Sequence, residues 1–450
     1  MMVTELYPPI FMRFLLSWLL FTCGSLWAAD AIPDVLPVDK VWAGHQVGFA
    51  LLTAPPHQYV AYYDANRQMT VAQRRLDQQK WTTRKLPTSV VWDSHNYVTL
   101  ALDRAGHLHV SGNMHVVPLI YFRTTKAGDI SALAPAPMVG EREQRMTYPL
   151  FMKDKAGRLL FRYRDGHSGS GDDLCNVYDE ATQKWTRLLT SPLTNGQGKM
   201  NAYSTTPLLG PDGMFHLCWV WRDTPDCATN HDLSYAKSAD LVHWVDSAGK
   251  ELTLPITFAT GEIVDPVPAK GGIINSNLGL GFDTRARVIL TYHKYDANGD
   301  LQIYAARRDP EGWTIVQISD WKGYRWEFAG GGTIVEEVKV GAVEPIGDGK
   351  LTLAYRYPKG AGTWILDDQT LQPIPDLKLP QQGWRVPPGA LKLTSSFEGM
   401  KVRQATDLGA ESTEFSYRLV WESLDANRDL PRPPPWPEAS ELKVIKVKKR

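Results

Sequence analysis

Two histidines that flank a predicted β-hairpin are the residues of this sequence best placed to do chemistry. Between His95 and His115 the sequence has an apolar strand, a D-x-x-G turn at Asp103–Gly106 and a second apolar strand. If the two strands pair through this turn, the two histidines return to the same edge of the sheet. Because imidazole titrates near neutral pH, such a pair could take up or release protons.

The strand–turn–strand pattern recurs along the chain and predicts the fold. Its Asp/Gly turns are separated by roughly 50 to 70 residues, which is typical of four-stranded propeller blades with loop insertions. An acidic residue shortly before a tryptophan is a second repeated feature, and its best copy is Ser238–Trp244. We therefore predict an all-β fold, a β-propeller of four-stranded antiparallel blades. Five or six repeats can be counted and the C-terminal strands supply another, so seven blades are expected, with six as the alternative. The turns begin at Asp103, Asp154, Asp212, Asp283 and Asp348.

The composition restricts the class of protein and its compartment. The chain has 450 residues, 43% of them hydrophobic, and its 49 basic residues balance 49 acidic ones. This balance gives no global field that would favour nucleic acid or an anionic membrane. Residues 1–31 contain a short apolar run and end in small residues, as a secretory signal peptide does, with Met12 as an alternative start. We expect a periplasmic or secreted protein with no membrane anchor in its mature form.

We expect one catalytic propeller domain over residues 32–430, followed by an extension over residues 431–450. The extension begins with the proline-rich segment PRPPPWP and ends in the basic segment ELKVIKVKKR. Proline-rich segments are extended and form no internal hydrogen bonds. The basic segment could be a closing edge strand of the propeller or a free basic tail.

Cysteines and histidines in the middle of the chain suggest a metal site. Besides Cys175, the mature chain has Cys218 and Cys227, and an odd number of cysteines in an exported protein indicates a free thiol or a metal ligand. His216 and His231 lie close by in the sequence, and tetrahedral zinc prefers such sulfur and nitrogen ligands. One structural zinc held by these two cysteines and two histidines is therefore a hypothesis, and no organic cofactor is expected. The alternatives are a Cys218–Cys227 disulfide, or a Cys218 that is simply buried in its strand.

Several long segments of the chain carry a family resemblance. They are HQYVAYYDANRQMTVAQRRLD, SHNYVTLALDRAGHLHVSGNMHVVPLIYFRT, FRYRDGHSGSGDD and CWVWRDTPDCATNHDLSYAKS. From about Gly44 to Tyr357 the chain resembles the BNR-repeat-containing family, whose members often carry the label of neuraminidase. That family is similar to the seven-bladed propeller polysaccharide lyases that cleave ulvan, a sulfated polymer of rhamnose and uronic acids.

The resemblance implies a set of catalytic residues. In the ulvan lyases two histidines, a tyrosine and an arginine line the cleft, and a zinc is structural. The corresponding residues of this chain would be His95, His115, Tyr203 and Arg222. The substrate implied is an acidic polysaccharide or oligosaccharide, and the reaction implied is a β-elimination.

Elimination from a uronate has three chemical requirements. The carboxylate must be neutralised, the C5 proton must be removed and the departing glycosidic oxygen must be protonated. Arg222, helped by His115, suits the first task because a guanidinium presents a fixed fork of donors. Tyr203 and His95 suit the other two tasks as an acid/base pair. Further substrate contacts are expected from nearby polar residues, namely Asn96, Arg164, His167, His293 and Lys294.

Three other functions fit parts of the sequence. A sialidase would need an arginine triad, for which Arg162, Arg222 and Arg325 are available, but no acidic partner of Tyr203 is evident. A glycosidase would use two carboxylates. A propeller without activity would use the cleft histidines and some of the 16 tryptophans to bind carbohydrate. The carboxylates available to a glycosidase are Asp93, Asp165, Glu262, Asp265 and Glu327.

Overall fold

The computed structural model describes residues 34–377, 384–409, 412 and 414–449. The expected signal peptide, residues 1–31, lies outside these residues. In the described part the regular structure is almost entirely β-strand. No helix among the described residues is long and apolar enough to cross a membrane. The short 3-10 turns are Ser94–Asn96, Ile130–Ala132, Cys227–Thr229 and Asn275–Asn277.

The strands of the described residues form seven antiparallel sheets, numbered here in the order of the chain. Three of them are regular four-stranded meanders. Sheet 1 contains Ala50–Ala54, His57–Tyr63, Gln68–Arg75 and Thr82–Ser89. Sheet 2 contains Val98–Leu102, Leu108–Gly112, Tyr121–Thr124 and Leu133–Pro135. Sheet 5 contains Gly279–Phe282, Val288–Tyr295, Leu301–Asp309 and Gly312–Gln317.

Three further sheets differ from this four-stranded plan, since two of them have more than four strands and one has three. Sheet 3 contains Met146–Lys153, Leu159–Asp165, Asp172–Asp179 and Lys184–Arg187, and His115–Val117 is added beside its first strand. Sheet 4 contains Asn201–Ser204, Leu208–Leu209, Phe215–Arg222, Asn230–Ser238, Trp244–Val245, Glu251–Leu252 and Glu262–Asp265. Sheet 6 contains Lys339–Gly347, Lys350–Tyr357 and Gly360–Asp367.

Sheet 7 is built from both ends of the described chain. Val35–Val41 pairs with Ser440–Lys449, which pairs in turn with Phe415–Ser423. The basic C-terminal segment is therefore an internal strand of the propeller, neither an edge strand nor a free tail. The extension expected after residue 430 thus contains part of sheet 7. The remaining strands of this sheet are Lys401–Thr406 and Trp384–Arg385.

The Asp/Gly turns found in the sequence close hairpins within the sheets. In sheet 2 the Asp103 carboxylate accepts a hydrogen bond from the backbone nitrogen of His107 at 2.8 Å. Gly106 has a φ of 84°, a conformation that glycine adopts without strain. The turn joins Val98–Leu102 to Leu108–Gly112, so the hairpin predicted between the two histidines is confirmed.

The tryptophan turn at Ser238–Trp244 is held together by its own side chains. The Asp240 carboxylate accepts hydrogen bonds from the backbone nitrogens of Val242 and His243 at 2.9 and 2.8 Å. The Trp244 side chain is almost completely buried, and its indole nitrogen donates to the carbonyl of Leu241. Because a buried indole contributes a large apolar area, this turn anchors the outer strands of sheet 4 to the core.

Neighbouring sheets pack through their first strands. Ala50–Ala54 contacts Val98–Leu102 on one side and Lys401–Thr406 on the other, and apolar side chains fill the space between these sheets. The all-β propeller predicted from the sequence is confirmed. Since each sheet repeats one antiparallel order, the first strands begin at one face of the ring and the loops after the second strands return to it. We call this the cleft face.

Candidate active site

His95 and His115 lie face to face on the cleft face. Their ring centroids are 4.0 Å apart and their planes are inclined by 24°. His95 lies in the 3-10 turn that precedes the first strand of sheet 2, whereas His115 begins the short strand that pairs with Met146–Lys153 of sheet 3. The juxtaposition predicted from the hairpin is present, and it joins elements of two adjacent sheets.

One carboxylate holds both imidazoles. Oδ1 of Asp93 lies 2.8 Å from Nδ1 of His95, and Oδ2 lies 2.6 Å from Nδ1 of His115. Asp93 also caps the turn, because its Oδ1 accepts a hydrogen bond from the backbone nitrogen of His95. Since Nδ1 of His115 is bonded to this carboxylate, Nε2 is the ring nitrogen left for proton transfer. The His115 side chain is 28% exposed, against 17% for His95.

A second carboxylate, Asp429, lies in the loop of sheet 7 between Phe415–Ser423 and Ser440–Lys449. Its Oδ2 lies 3.3 Å from Nδ1 of His95. Burial of His95 disfavours its charged form, but the hydrogen bonds with Asp429 and Asp93 outweigh burial and raise the pKa of His95 to about 9. Burial of the two carboxyls is likewise outweighed by the imidazoles, so the pKa of each carboxyl is lowered. His95 is therefore an imidazolium between two carboxylates at neutral pH.

Tyr148 stands next to the histidine pair on a strained piece of backbone. Its ring centroid is 5.6 Å from that of His95. Tyr148 has a φ of 60°, and Val116, which follows His115, has a φ of 58°. These left-handed conformations cost energy for residues with side chains, and β-branched residues rarely adopt them. The strain flanks the irregular pairing of His115 with Thr147, so this part of the cleft is held in place by its surroundings.

Arg164 and Tyr203 line a cavity beside the histidines. The Arg164 guanidinium donates to the Tyr203 hydroxyl at 3.2 Å and to Thr147 Oγ1 at 3.1 Å. Its central carbon lies 4.9 Å from the ring centroid of Tyr148. Arg164 is buried, and no carboxylate of the described residues forms an ion pair with it. The cavity has a volume of about 270 Å³, enough for a sugar ring, and its lining includes Arg164 together with Asp172 and Asp173, which pair with Arg142 and Arg162.

Arg222 lies at the end of its strand on the other side of the same tyrosine. Its guanidinium carbon is 5.2 Å from the ring centroid of Tyr203. Nε donates to the carbonyl of Thr224 at 3.0 Å, and Nη2 donates to the carbonyl of Pro225. Arg222 lines a second cavity that it shares with His95, so it borders the histidine pair while two of its donors hold the adjoining loop.

The remaining predicted substrate contacts lie in different environments. His167 is exposed in the loop that follows Leu159–Asp165. Asn96 is buried, and its backbone carbonyl accepts a hydrogen bond from the Tyr63 hydroxyl. Asn96 therefore supports the turn that carries His95.

His293 and Lys294 lie away from the two cavities. His293 is buried, its Nδ1 lies 2.6 Å from the carbonyl of Gly272, and burial lowers its pKa to about 4. Lys294 forms an ion pair with Asp265 at 2.5 Å. Neither residue lines the cavities beside the histidine pair.

The two histidines of the hypothetical zinc site have other partners. Nδ1 of His216 is bonded to the hydroxyl of Tyr235 at 2.6 Å, and Nε2 is bonded to Asp212 at 2.9 Å. The two ring nitrogens of His231 lie 2.6 and 3.1 Å from two carboxylates. Because both nitrogens of each ring have a hydroxyl or carboxylate partner, neither ring is available to a metal in this arrangement.

The two cysteines of that site are free, buried thiols in separate apolar clusters, and they form no disulfide with each other. Cys218, Cys227 and the two histidines therefore do not fit a tetrahedral zinc site. Closeness in the sequence does not bring these four side chains together, because the cysteines lie in different apolar clusters and the histidines are bonded to other side chains. Among the described residues, one group of histidines and carboxylates has ligand atoms within 4.8 Å of one another, and direct hydrogen bonds account for it. Its members are Asp93, His95, His115 and Asp429.

Four of the five carboxylates considered for a glycosidase are bonded to neighbouring side chains and line neither cavity. Asp93 lies in the cleft, but its lowered pKa makes it unsuited to be the general acid of hydrolysis. The arginines considered for a sialidase do not face one cavity, since Arg162 is buried against Asp173 and Arg325 pairs with an exposed glutamate. Asp165, Glu262, Asp265 and Glu327 are bonded to Arg142, Ser247, Lys294 and Arg325, respectively.

Sequence reasoning does not single out Tyr148 or Asp429. A signal for Tyr148 exists in MTYPLFMK, because the first strand of a propeller sheet begins at the cleft face and its first residues border the cleft. Asp429 has no such signal. It lies in an irregular loop of the last sheet, and only ring closure brings it to His95.

The fold and this site define a β-propeller whose cleft is lined by paired histidines, tyrosines and arginines. The model of the BNR repeat-containing family matches residues 57–321. The matched region is more than half of the chain and includes both cleft histidines. The chain therefore belongs to the BNR repeat-containing family.

Solved structures of polysaccharide lyases have a similar fold. The crystal structure of polysaccharide lyase Uly1 aligns with a TM-score of 0.60 and 12% identity over 92% of this chain and 98% of that chain. An ulvan lyase of polysaccharide lyase family PL25, bound to -[GlcA(1-4)Rha3S]-, aligns with a TM-score of 0.60 and 12% identity over 92% of this chain and 95% of that chain. At this identity the similarity shows the fold alone. None of the curated proteins compared with this chain matches it.

Proposed function

We propose that this protein is an exported polysaccharide lyase that cleaves a uronic-acid-containing glycan by β-elimination. The observation that carries the proposal is the arrangement of Asp93, His95 and His115 beside Tyr148. It combines an oriented base, a fixed cation and a hydroxyl in one cleft, which are the three groups that elimination needs. The fold shared with polysaccharide lyases supports the same class of reaction.

His115 is the proposed base. Its Nδ1 donates to Asp93 at 2.6 Å, so the lone pair is on Nε2 and the ring orientation is fixed. His115 is also the more exposed of the two imidazoles, which suits contact with a substrate. Nε2 removes the proton from C5 of the uronate, and the electron pair of that bond begins the elimination.

His95 and Arg164 are the proposed groups that neutralise the uronate. His95 carries a positive charge at neutral pH because its pKa is raised to about 9. Arg164 is a buried guanidinium without a carboxylate partner among the described residues, and a substrate carboxylate would supply one. Fixed positive groups stabilise the negative charge that develops on the carboxylate as the proton leaves.

Tyr148 is the proposed acid. Burial raises the pKa of Tyr148 to about 12, so the hydroxyl keeps its proton at neutral pH. As the bond between C4 and the glycosidic oxygen breaks, the hydroxyl protonates that oxygen and a double bond forms between C4 and C5. Exchange with solvent then removes the proton from His115 and returns one to Tyr148.

This assignment differs from the roles expected from sequence. The imidazole of His95 has two carboxylate partners and stays charged, so it suits neutralisation of the uronate carboxylate better than proton transfer. The Tyr203 hydroxyl is already bonded to Arg164 and to Ser168, which leaves Tyr148 as the freer hydroxyl. Tyr203 and Arg222 remain in the proposal as groups that position the neighbouring side chains.

The experiment incubates the mature protein with a panel of uronate-containing polysaccharides and follows the ultraviolet absorbance of the unsaturated product. We expect a rise in absorbance that is lost in His115→Ala and Tyr148→Phe and retained in part in Tyr203→Phe. New reducing ends without absorbance would replace the lyase proposal by a hydrolase. Glycan binding without turnover would instead identify a recognition module.

A further inference from the structure

Three tryptophans on the cleft face surround one arginine. The guanidinium carbon of Arg67 lies 4.0, 4.8 and 5.2 Å from the ring centroids of Trp42, Trp92 and Trp436, respectively. The rings also contact one another, with centroids between 5.3 and 5.9 Å apart. Cation–π attraction to three rings fixes the guanidinium in one place.

The cluster is built from separate connections that meet at the cleft face. Arg67 lies in the turn between the second and third strands of sheet 1. Trp42 and Trp92 precede the first strands of sheets 1 and 2, and Trp92 is followed directly by the carboxylate that holds both histidines. Trp436 belongs to the loop of sheet 7 that also carries Asp429. The cluster therefore adjoins the proposed catalytic groups along the rim of the cleft.

The guanidinium of Arg67 has no carboxylate partner among the described residues. In the part of the chain that the structure describes, its side chain has neither an ion pair nor a hydrogen bond, and aromatic rings are its contacts. A guanidinium stacked on rings keeps its in-plane N–H donors, and these match the paired oxygens of a carboxylate or a sulfate. The donors of Arg67 are thus available to an external anion.

Trp436 supplies an apolar surface next to that charge. The residue is 44% exposed, although tryptophan is usually well buried. The indole nitrogen donates to the carbonyl of Arg432 at 2.9 Å, so the ring is held in a fixed orientation. A rigid exposed ring can stack on the apolar face of a sugar at a low entropic cost.

We infer that Arg67 and Trp436 form a second sugar subsite on the rim of the cleft, which binds an anionic sugar unit. The ring of Trp436 stacks on the sugar, and Arg67 binds its carboxylate or sulfate group. This inference rests on the proposed function, because the ligand is a further unit of the same acidic glycan. Such a subsite favours long chains, which reach both the catalytic groups and the rim, over short ones.

The test measures cleavage of ulvan oligosaccharides of increasing length by Arg67→Gln, Arg67→Lys, Trp436→Ala and Trp436→Phe. Loss of a charge-assisted hydrogen bond predicts that Arg67→Gln raises KM for long oligosaccharides about tenfold. The kcat, and the KM for the shortest cleaved substrate, stay at the wild-type value. Trp436→Ala has the same signature, and Trp436→Phe restores part of the affinity. Arg104→Gln is the matched control, since Arg104 is exposed in the Asp103 turn at the opposite face.

A binding experiment separates this inference from the proposed function. Calorimetric titration of long ulvan oligosaccharides into His115→Ala, with and without Arg67→Gln, needs no turnover. Equal dissociation constants for the two proteins, with unchanged thermal midpoints, would overturn the subsite and leave the lyase proposal intact. Weaker binding with Arg67→Gln supports the subsite even if the wild-type protein cleaves none of the glycans. If chemical desulfation of the oligosaccharide removes the effect of Arg67→Gln, the anion bound is the sulfate; if the effect persists, it is the carboxylate.

Discussion

Asp93 accepts hydrogen bonds from two stacked imidazoles, and the difference between these imidazoles decides their roles in the proposed mechanism. His95 has a second carboxylate partner in Asp429 and stays charged, whereas His115 has one carboxylate and a more exposed ring. In the proposed mechanism, the different partners of these two histidines give them different tasks. The residues that neighbour each histidine in the sequence do not predict which task it has.

Replacing Asp93 with asparagine tests this shared carboxylate. An amide cannot serve both rings as an anion, so the orientation of His115 is no longer fixed by a carboxylate and the charge of His95 is supported by Asp429 alone. We expect kcat for uronate cleavage to fall by about 10²- to 10⁴-fold, the usual contribution of general acid–base catalysis. Initial rates of product absorbance measure the effect, with the exposed Asp77→Asn as the control. A rate close to that of the wild type would contradict the proposed base.

Replacing Asp429 with asparagine tests the charge of His95. The pKa of His95, raised to about 9 in the folded protein, should fall towards 6.5. We therefore expect the basic limb of the pH–rate profile to move to lower pH, since cleavage needs the imidazolium. Titration of the imidazole signals by NMR measures the pKa directly. An unchanged basic limb together with a lowered pKa would remove His95 from the proposed mechanism.

The same variant has a predictable effect on stability. A folded-state pKa raised above 6.5 stabilises the protein below that pH, and the stabilisation is lost as the pH rises through about 9. Asp429→Asn should therefore lower the thermal midpoint at pH 6 and have a smaller effect above about pH 10. Thermal unfolding at the two pH values checks the sign. A larger loss at high pH would show that Asp429 stabilises the fold by other contacts.

At the scale of elements, local patterns were readable from the sequence and pairings between sheets were not. The Asp103 turn and the Ser238–Trp244 turn are closed by side chains within a few residues, so their patterns predict them. The strand at His115 pairs with sheet 3, and that pairing depends on residues far along the chain. Tyr148 directly follows the residue that pairs with His115, whereas Tyr203 is selected from a family resemblance, so only this pairing distinguishes the two tyrosines.

The loop after Leu159–Asp165 offers a test of the cavity. A Cβ added at Gly171 would lie 2.6 Å from Cδ of Arg164 and 2.8 Å from Oδ1 of Asn201. Gly171→Ala must therefore displace the guanidinium proposed to bind the uronate carboxylate. We expect KM to rise about tenfold or more, since a charge-assisted hydrogen bond is weakened. Steady-state kinetics measure the change.

Gly360→Ala is the matched control for the cavity, since its added Cβ would make an ordinary contact of 3.8 Å with Tyr357. This variant should keep the wild-type KM. A Gly171→Ala protein with wild-type KM and a wild-type thermal midpoint would show that Arg164 does not contact the substrate.

At the scale of the whole molecule, the ring depends on the strand Ser440–Lys449. Four of its apolar residues are almost completely buried, and the strand has a partner on each side. The repeated turns predict a propeller, but the role of this strand is fixed only by the distant N-terminal strand. This is why a basic tail remains an alternative until the structure is known. The buried residues are Leu442, Val444, Ile445 and Val447.

Deletion of residues 440–450 should unfold the protein or lower its thermal midpoint strongly. Burial of each of the four apolar side chains is worth about 1.5–3 kcal/mol. Together they approach the whole free energy of unfolding of a typical protein, about 5–15 kcal/mol. Circular dichroism during heating measures the midpoint, and deletion of Arg450 alone is the control. A truncated protein with the wild-type midpoint would show that sheet 7 is stable without its internal strand.

The pairing of Val35–Val41 with Ser440–Lys449 also determines when sheet 7 can form during biosynthesis. While the chain is being made, Val35–Val41 has no partner until the distant strand Ser440–Lys449 has also been synthesised. Until then the nascent protein exposes unpaired strand edges, which are templates for aggregation. We therefore expect a chain that lacks Ser440–Lys449 to aggregate through the unpaired edge of Val35–Val41.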